Sequence, residues 1–108
     1  LVLAPGFIDI HNHSESGLLR EGIAANQVSQ GITTLIVGPD GGSPDSIGEY
    51  FASLRGKTAV NVGAFLGHGT LRTLVMKEDL RRAATAAEIA AMSALLERAM
   101  KDGAFGLS

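Results

Sequence analysis

Strand-like and helix-like stretches alternate along this chain, and that alternation restricts its fold more than any other feature. Phe7–His13 alternates polar and apolar residues, Thr33–Val37 is a β-branched apolar run, residues 59–66 form a third such run, and a fourth begins at Ala104. Between them the sequence predicts helices. One covers residues 21–30 and ends at Gly31. A second opens at Ser43-Pro44 and carries Ile47, Tyr50, Phe51 and Leu54 at helical spacing. A short third helix is predicted over residues 71–77. A fourth starts at the capping box Thr85-Ala86-Ala87-Glu88, shows an apolar stripe of Ile89, Met92, Leu96 and Met100, and stops at Gly103. The order β-α-β-α-β-α-β implies parallel strands joined by right-handed helical crossovers.

The polar residues sit where these strands end. His11, Asp40, His68 and Ser108 follow one another at steps of 29, 28 and 40 residues. A (β/α)8 barrel gathers its chemistry at the C-terminal ends of its strands and needs about 250 residues. The chain therefore reads as α/β, the N-terminal half of such a barrel, with about four βα units. Residues 1–108 run from the first strand to the start of the fourth. An open doubly wound sheet would place a glycine-rich phosphate loop after the first strand. That place holds His11-Asn12-His13. A chain that opens on Leu1 and closes as a strand begins is expected to be part of a longer one.

In a strand, His11 and His13 share one face, so two neutral imidazoles can chelate one divalent cation; zinc suits such donors. Strict alternation places Asp9 on that face as well, where its carboxylate would orient an imidazole. The strand itself is expected to be buried. Asp40 follows the second strand and forms an Asp-Gly turn dipeptide with Gly41. His68, between Gly67 and Gly69, either contacts substrate or metal or holds its loop. Arg72 either grips a substrate carboxylate or is a surface arginine, the second being favoured.

The rest of the composition works by exclusion. A net charge of −2 with no basic stripe argues against a nucleic-acid partner, and no run is polybasic or long and apolar enough for a membrane. No cysteine is present, so no disulfide or thiolate metal site exists in this chain. Nothing resembles an export signal, and the expected location is cytoplasmic.

Four segments carry a resemblance. Ala4-Pro5-Gly6-Phe7-Ile8-Asp9-Ile10-His11-Asn12-His13 resembles the first-strand motif of the amidohydrolase superfamily. Gln30–Gly38, Gly67–Arg72 and Gly103–Ser108 resemble the second, third and fourth strands of its D-aminoacylase (N-acyl-D-amino-acid deacylase) branch. The resemblance implies a distorted barrel, usually joined to a small β domain. It also implies a zinc-dependent hydrolase, with one or two ions, acting on the amide of small N-acyl-D-amino acids. It makes His11 and His13 metal ligands and assigns the remaining donors and a catalytic aspartate to later strands, so that this chain alone would be inactive. Asp40 stands where the branch often carries a cysteine ligand, in Gly38-Pro39-Asp40-Gly41, so its carboxylate is either a further metal donor or simply part of the turn. Another cyclic-amide or dipeptide hydrolase of the superfamily, or a non-catalytic metal-binding barrel, stays open. Oligomeric state is left open too.

Overall fold

The computed structural model describes residues 1–108. Its centre is a three-stranded parallel sheet in the order β1 (Phe7–Asn12), β2 (Ile32–Val37), β3 (Asn61–Ala64). A fourth strand begins beside β3. Leu66 and Leu107 form a parallel bridge, and the Phe105 N–H donates to the Ala64 carbonyl at 2.9 Å. The alternation read from the sequence is thus present as a parallel α/β layer.

Helices cover one face of the sheet. They are α1 (Glu15–Arg20), α2 (Ala25–Val28), α3 (Ile47–Leu54), α4 (His68–Met76) and α5 (Ala86–Lys101). The core lies between them and the sheet. Leu35 and Val37 of β2, Ala64 of β3 and Leu66 beyond it meet Leu18, Ile47, Tyr50, Leu54, Leu71 and Met92 from the helices. Burying such side chains contributes roughly 1.5–3 kcal/mol each, the main force holding the layer together. The other face is bare. Ile8, Ile10, Thr34, Ile36, Gly63, Phe65 and Phe105 line an open apolar hollow of about 550 Å³. Strand β1, expected to be buried, is an edge strand whose Phe7, Ile8 and Ile10 are 68%, 63% and 71% exposed. It has a neighbour on one side only and nothing over its open face.

Local chemistry moved several boundaries. Of the helix expected over residues 21–30, only α2 is helical, and a separate helix, α1, lies before that range. Ala24 takes a left-handed backbone (φ 48°), and Gly22 lies against the Lys57–Thr58 backbone too closely to carry a side chain. Helix α3 starts at Ile47 rather than at Ser43-Pro44. Its cap is Ser46, whose hydroxyl accepts from the Glu49 N–H at 3.4 Å, while Ser43 bonds elsewhere. Ile47, Tyr50 and Leu54 then face the core at the expected spacing. Helix α4 begins three residues early, at His68, and β3 is shorter than the 59–66 run. The α5 capping box is present, with both Thr85–Glu88 bonds made. Of its expected stripe, Met92 and Leu96 face inward together with Ala99, while Ile89 and Met100 are exposed.

Candidate functional site

A bulge in β1 decides where the histidines point. Asp9 pairs with Leu35 and Asn12 with Val37, so three steps along β1 match two along β2. The extra residue shifts the alternation by one position, as bulges do. Asp9 and Asn12 thereby share the helix-covered side on which Leu35 and Val37 are buried. The Asn12 side-chain amide donates to the Asp9 carboxylate at 2.7 Å. His11 and His13, flanking Asn12, turn to the open side. Asp9 therefore does not share their face, contrary to strict alternation. Its other oxygen accepts from the His11 backbone N–H at 3.2 Å, so it steadies the bulged main chain rather than an imidazole.

The open side holds a compact cluster. Asp40 Oδ2 lies 3.0 Å from His11 Nε2 and 3.4 Å from His13 Nε2. The two rings meet edge to face, with centroids 5.3 Å apart. One donor atom from each of His11, His13 and Asp40 falls within 4.8 Å of the others. Adjacent ligands of a tetrahedral zinc with bonds of about 2.0–2.1 Å are about 3.3 Å apart. The two measured edges, 3.0 and 3.4 Å, bracket that spacing. Two imidazoles and one carboxylate are also donors that zinc accepts. The residues present fit a divalent metal.

Asp40 reaches this place through a turn of unusual backbone. Gly38, Asp40 and Gly41 all have positive φ, at 79°, 58° and 80°. Glycine adopts that region freely, and aspartate is among the few other residues that tolerate it. Bonds from three directions hold the turn. The Glu15 carboxylate accepts from the Gly38 N–H at 2.8 Å, and the Thr70 N–H donates to the Gly41 carbonyl at 3.1 Å. The Ser108 hydroxyl donates to the Gly38 carbonyl at 2.7 Å and accepts from the Gly41 N–H at 3.3 Å. Next to it, Ser43 Oγ accepts from the Gly67 N–H at 2.9 Å, and Thr70 Oγ1 accepts from the Ser43 N–H at 2.9 Å. Glu15 is anchored in turn by Tyr50, whose hydroxyl donates to the Glu15 carbonyl at 3.3 Å. Burial first, and the Glu15 charge second, push the Tyr50 hydroxyl up to about 12, so it remains a donor at neutral pH.

The remaining candidates lie apart from the cluster. His68 is the exposed first residue of α4, and only its backbone is tied, with its N–H donating to the Ser108 carbonyl at 2.8 Å. Its flanking glycines have a packing role: a Cβ at Gly67 or Gly69 would collide with the main chain of the Asp40 turn. Arg72 lines the same open depression as Asp40, but its Nη2 donates to the Leu80 and Arg82 carbonyls. It ties down the loop after α4. Glu15 and Ser108, as braces of the Asp40 turn, went unassigned in the sequence. No local pattern marks them, because each acts on main-chain atoms far away along the chain.

No protein-family model matches the chain. Curated relatives do. The chain is 41% identical to a D-aminoacylase of Alcaligenes xylosoxydans xylosoxydans, an alignment that takes in 100% of this chain. The chain belongs to the D-aminoacylase branch of the amidohydrolases. An N-acyl-D-aspartate deacylase of the same organism is 42% identical, again over 100% of this chain. The chain spans only 27% and 26% of the length of these two relatives. Among solved structures, the N-acyl-D-glutamate deacylase of Bordetella bronchiseptica, complexed with zinc and a phosphonate inhibitor, superimposes with a TM-score of 0.89 at 34% identity. That match takes in 96% of this chain and 27% of the other. The D-aminoacylase branch thus accounts for the α/β layer and for a metal-dependent chemistry in the relatives.

Proposed function

We propose that the protein carrying this chain is a metal-dependent amidohydrolase that cleaves the amide bond of N-acyl-D-amino acids. Residues 1–108 supply the first strand through the start of the fourth in a (β/α)8 barrel. The bare face lined by Ile8, Ile10, Ile36 and Phe65 is then the inner wall of that barrel, which further strands would close. His11, His13 and Asp40 serve as metal donors, and the convergence of their three donor atoms carries the reading. Zinc, as one ion or two, fits the set. Bound there, it would supply Lewis-acid polarisation of the amide carbonyl and a water of lowered pKa.

The chain's own contributions are orientation and charge. The β1 bulge aims both imidazoles at one point. The braced turn brings a carboxylate against both Nε2 atoms. The general acid and base and the remaining donors would come from later strands, so residues 1–108 alone would have no activity. The similarity to a D-aminoacylase and to two N-acyl-D-amino-acid deacylases supports the substrate class.

The test is release of free amino acid from paired N-acetyl-D and N-acetyl-L substrates by the purified full-length protein. D-selective release that a chelator stops and added zinc restores is expected. Release from the L series instead, or from neither series with zinc bound, would overturn the reading.

A further inference from the structure

We propose that Ser108 is a positioning residue for Asp40, acting on the metal centre through the backbone of the Asp40 turn. The inference rests on the reading of Asp40 as a metal donor. Its starting point is exposure. The side chains of His11, His13 and Asp40 are 59%, 58% and 66% exposed, so packing does not fix where the carboxylate stands. Its position is inherited from the main chain of the turn. Of the four residues Gly38–Gly41, all but Pro39 have positive φ, a shape that must be stabilised from outside.

Ser108 meets the need on both sides of Asp40 at once. Its hydroxyl donates to the carbonyl of Gly38, two residues before, and accepts from the N–H of Gly41, one residue after. One donor and one acceptor on a single short side chain is the property of serine and threonine. Ser108 is itself held firmly, because its N–H donates to the Leu66 carbonyl at 3.0 Å and its carbonyl accepts from the His68 N–H at 2.8 Å. The fourth strand therefore delivers a hydroxyl across the end of β3 to the turn after β2. The turn stands this close to the end of β3 because position 67 is glycine, where a Cβ would meet the Gly41 and Gly42 main chain. Glu15 also holds Gly38, but from one side of the turn only.

The experiment titrates zinc into the metal-free full-length protein and its variants, with circular dichroism to confirm folding. Ser108→Ala should bind zinc roughly 10- to 100-fold more weakly, the usual cost of losing a partner behind a metal ligand. Ser108→Thr should keep most of the affinity and Ser108→Val should lose it. That pair has matched volume, so it isolates the hydroxyl even if the alanine variant folds poorly. Asp40→Ala should weaken binding as well, and adding Ser108→Ala to it should change nothing further, since the serine acts through the aspartate. A purely structural role would leave the two losses additive. If Asp40→Ala weakens zinc binding while Ser108→Val binds like the parent, the role of Ser108 is refuted and the donor set stands. If Asp40→Ala binds zinc as the parent does, the donor assignment fails and the inference falls with it.

Discussion

Replacing Gly67 by alanine should damage both the fold and the His11–His13–Asp40 cluster, although the change is one methyl group. The backbone of Gly67 is ordinary, at φ −75° and ψ 133°, so alanine carries no conformational penalty there. The cost is steric. The new Cβ would stand 2.8 Å from the Gly42 carbonyl carbon and closer still to the Gly41 carbonyl. These are main-chain atoms of the braced turn, and no rotamer change relieves the contact. Either β3 or the turn must move by about an ångström, and β3 is hydrogen-bonded within the sheet. Overpacking of this kind costs about 1–3 kcal/mol. Displacing the turn also strains the bonds donated by the Gly67 N–H to Ser43 Oγ, by the Gly41 N–H to Ser108 Oγ and by the Thr70 N–H to the Gly41 carbonyl. Losing one of these adds about 0.5–1.5 kcal/mol, giving about 1.5–4.5 kcal/mol in all. Urea unfolding of the full-length protein measures the loss, and zinc titration measures the effect on Asp40. Gly42→Ala is the control, because a Cβ there meets nothing within 4 Å. A Gly67→Ala variant within about 0.5 kcal/mol of the parent would refute the account of why this glycine lies beside His68, since ordinary surface changes fall in that range.

Three further predictions concern other parts of the chain. His11→Ala should lower bound zinc and activity together; unchanged metal content by atomic absorption would remove His11 from the donor set. Glu88 is held down from an ordinary 4.5 to about 2, first by hydrogen bonding to the Arg82 guanidinium and then by the Thr85 backbone N–H. A depressed carboxyl stabilises the fold above its unfolded value and loses that contribution as pH falls from about 4.5 toward 2. Glu88→Gln should therefore lower the urea midpoint at neutral pH and show a shallower decline over that acid range, and parallel curves for the two proteins would contradict it. Leu35→Ala, at a side chain with no exposed surface in the central strand, should cost about 2–5 kcal/mol in chemical unfolding, and a loss under about 1 kcal/mol would mean the core is elsewhere.

The sequence by itself determined the elements whose causes are local. The β-branched run at Thr33–Val37, the capping box at Thr85–Glu88 and the glycine stop at Gly103 each rest on neighbours within a turn or a strand. The same is true of the residue types at the strand ends, so His11, His13 and Asp40 could be picked out as candidate donors. Tertiary structure alone decided how they meet. The bulge that separates Asp9 from the histidines is a property of β1 paired with β2, because an extra residue exists only relative to a partner strand. The break between α1 and α2 depends on Gly22 lying against the backbone at Lys57. The glycines around His68 make room for a turn 26 residues earlier in the chain, and Ser108 braces that turn from 67 residues beyond Gly41. Hydrogen bonds to main-chain atoms carry no signature of which residue will supply them. The candidate donors were legible in one dimension, whereas the distances between them are set by packing between strands.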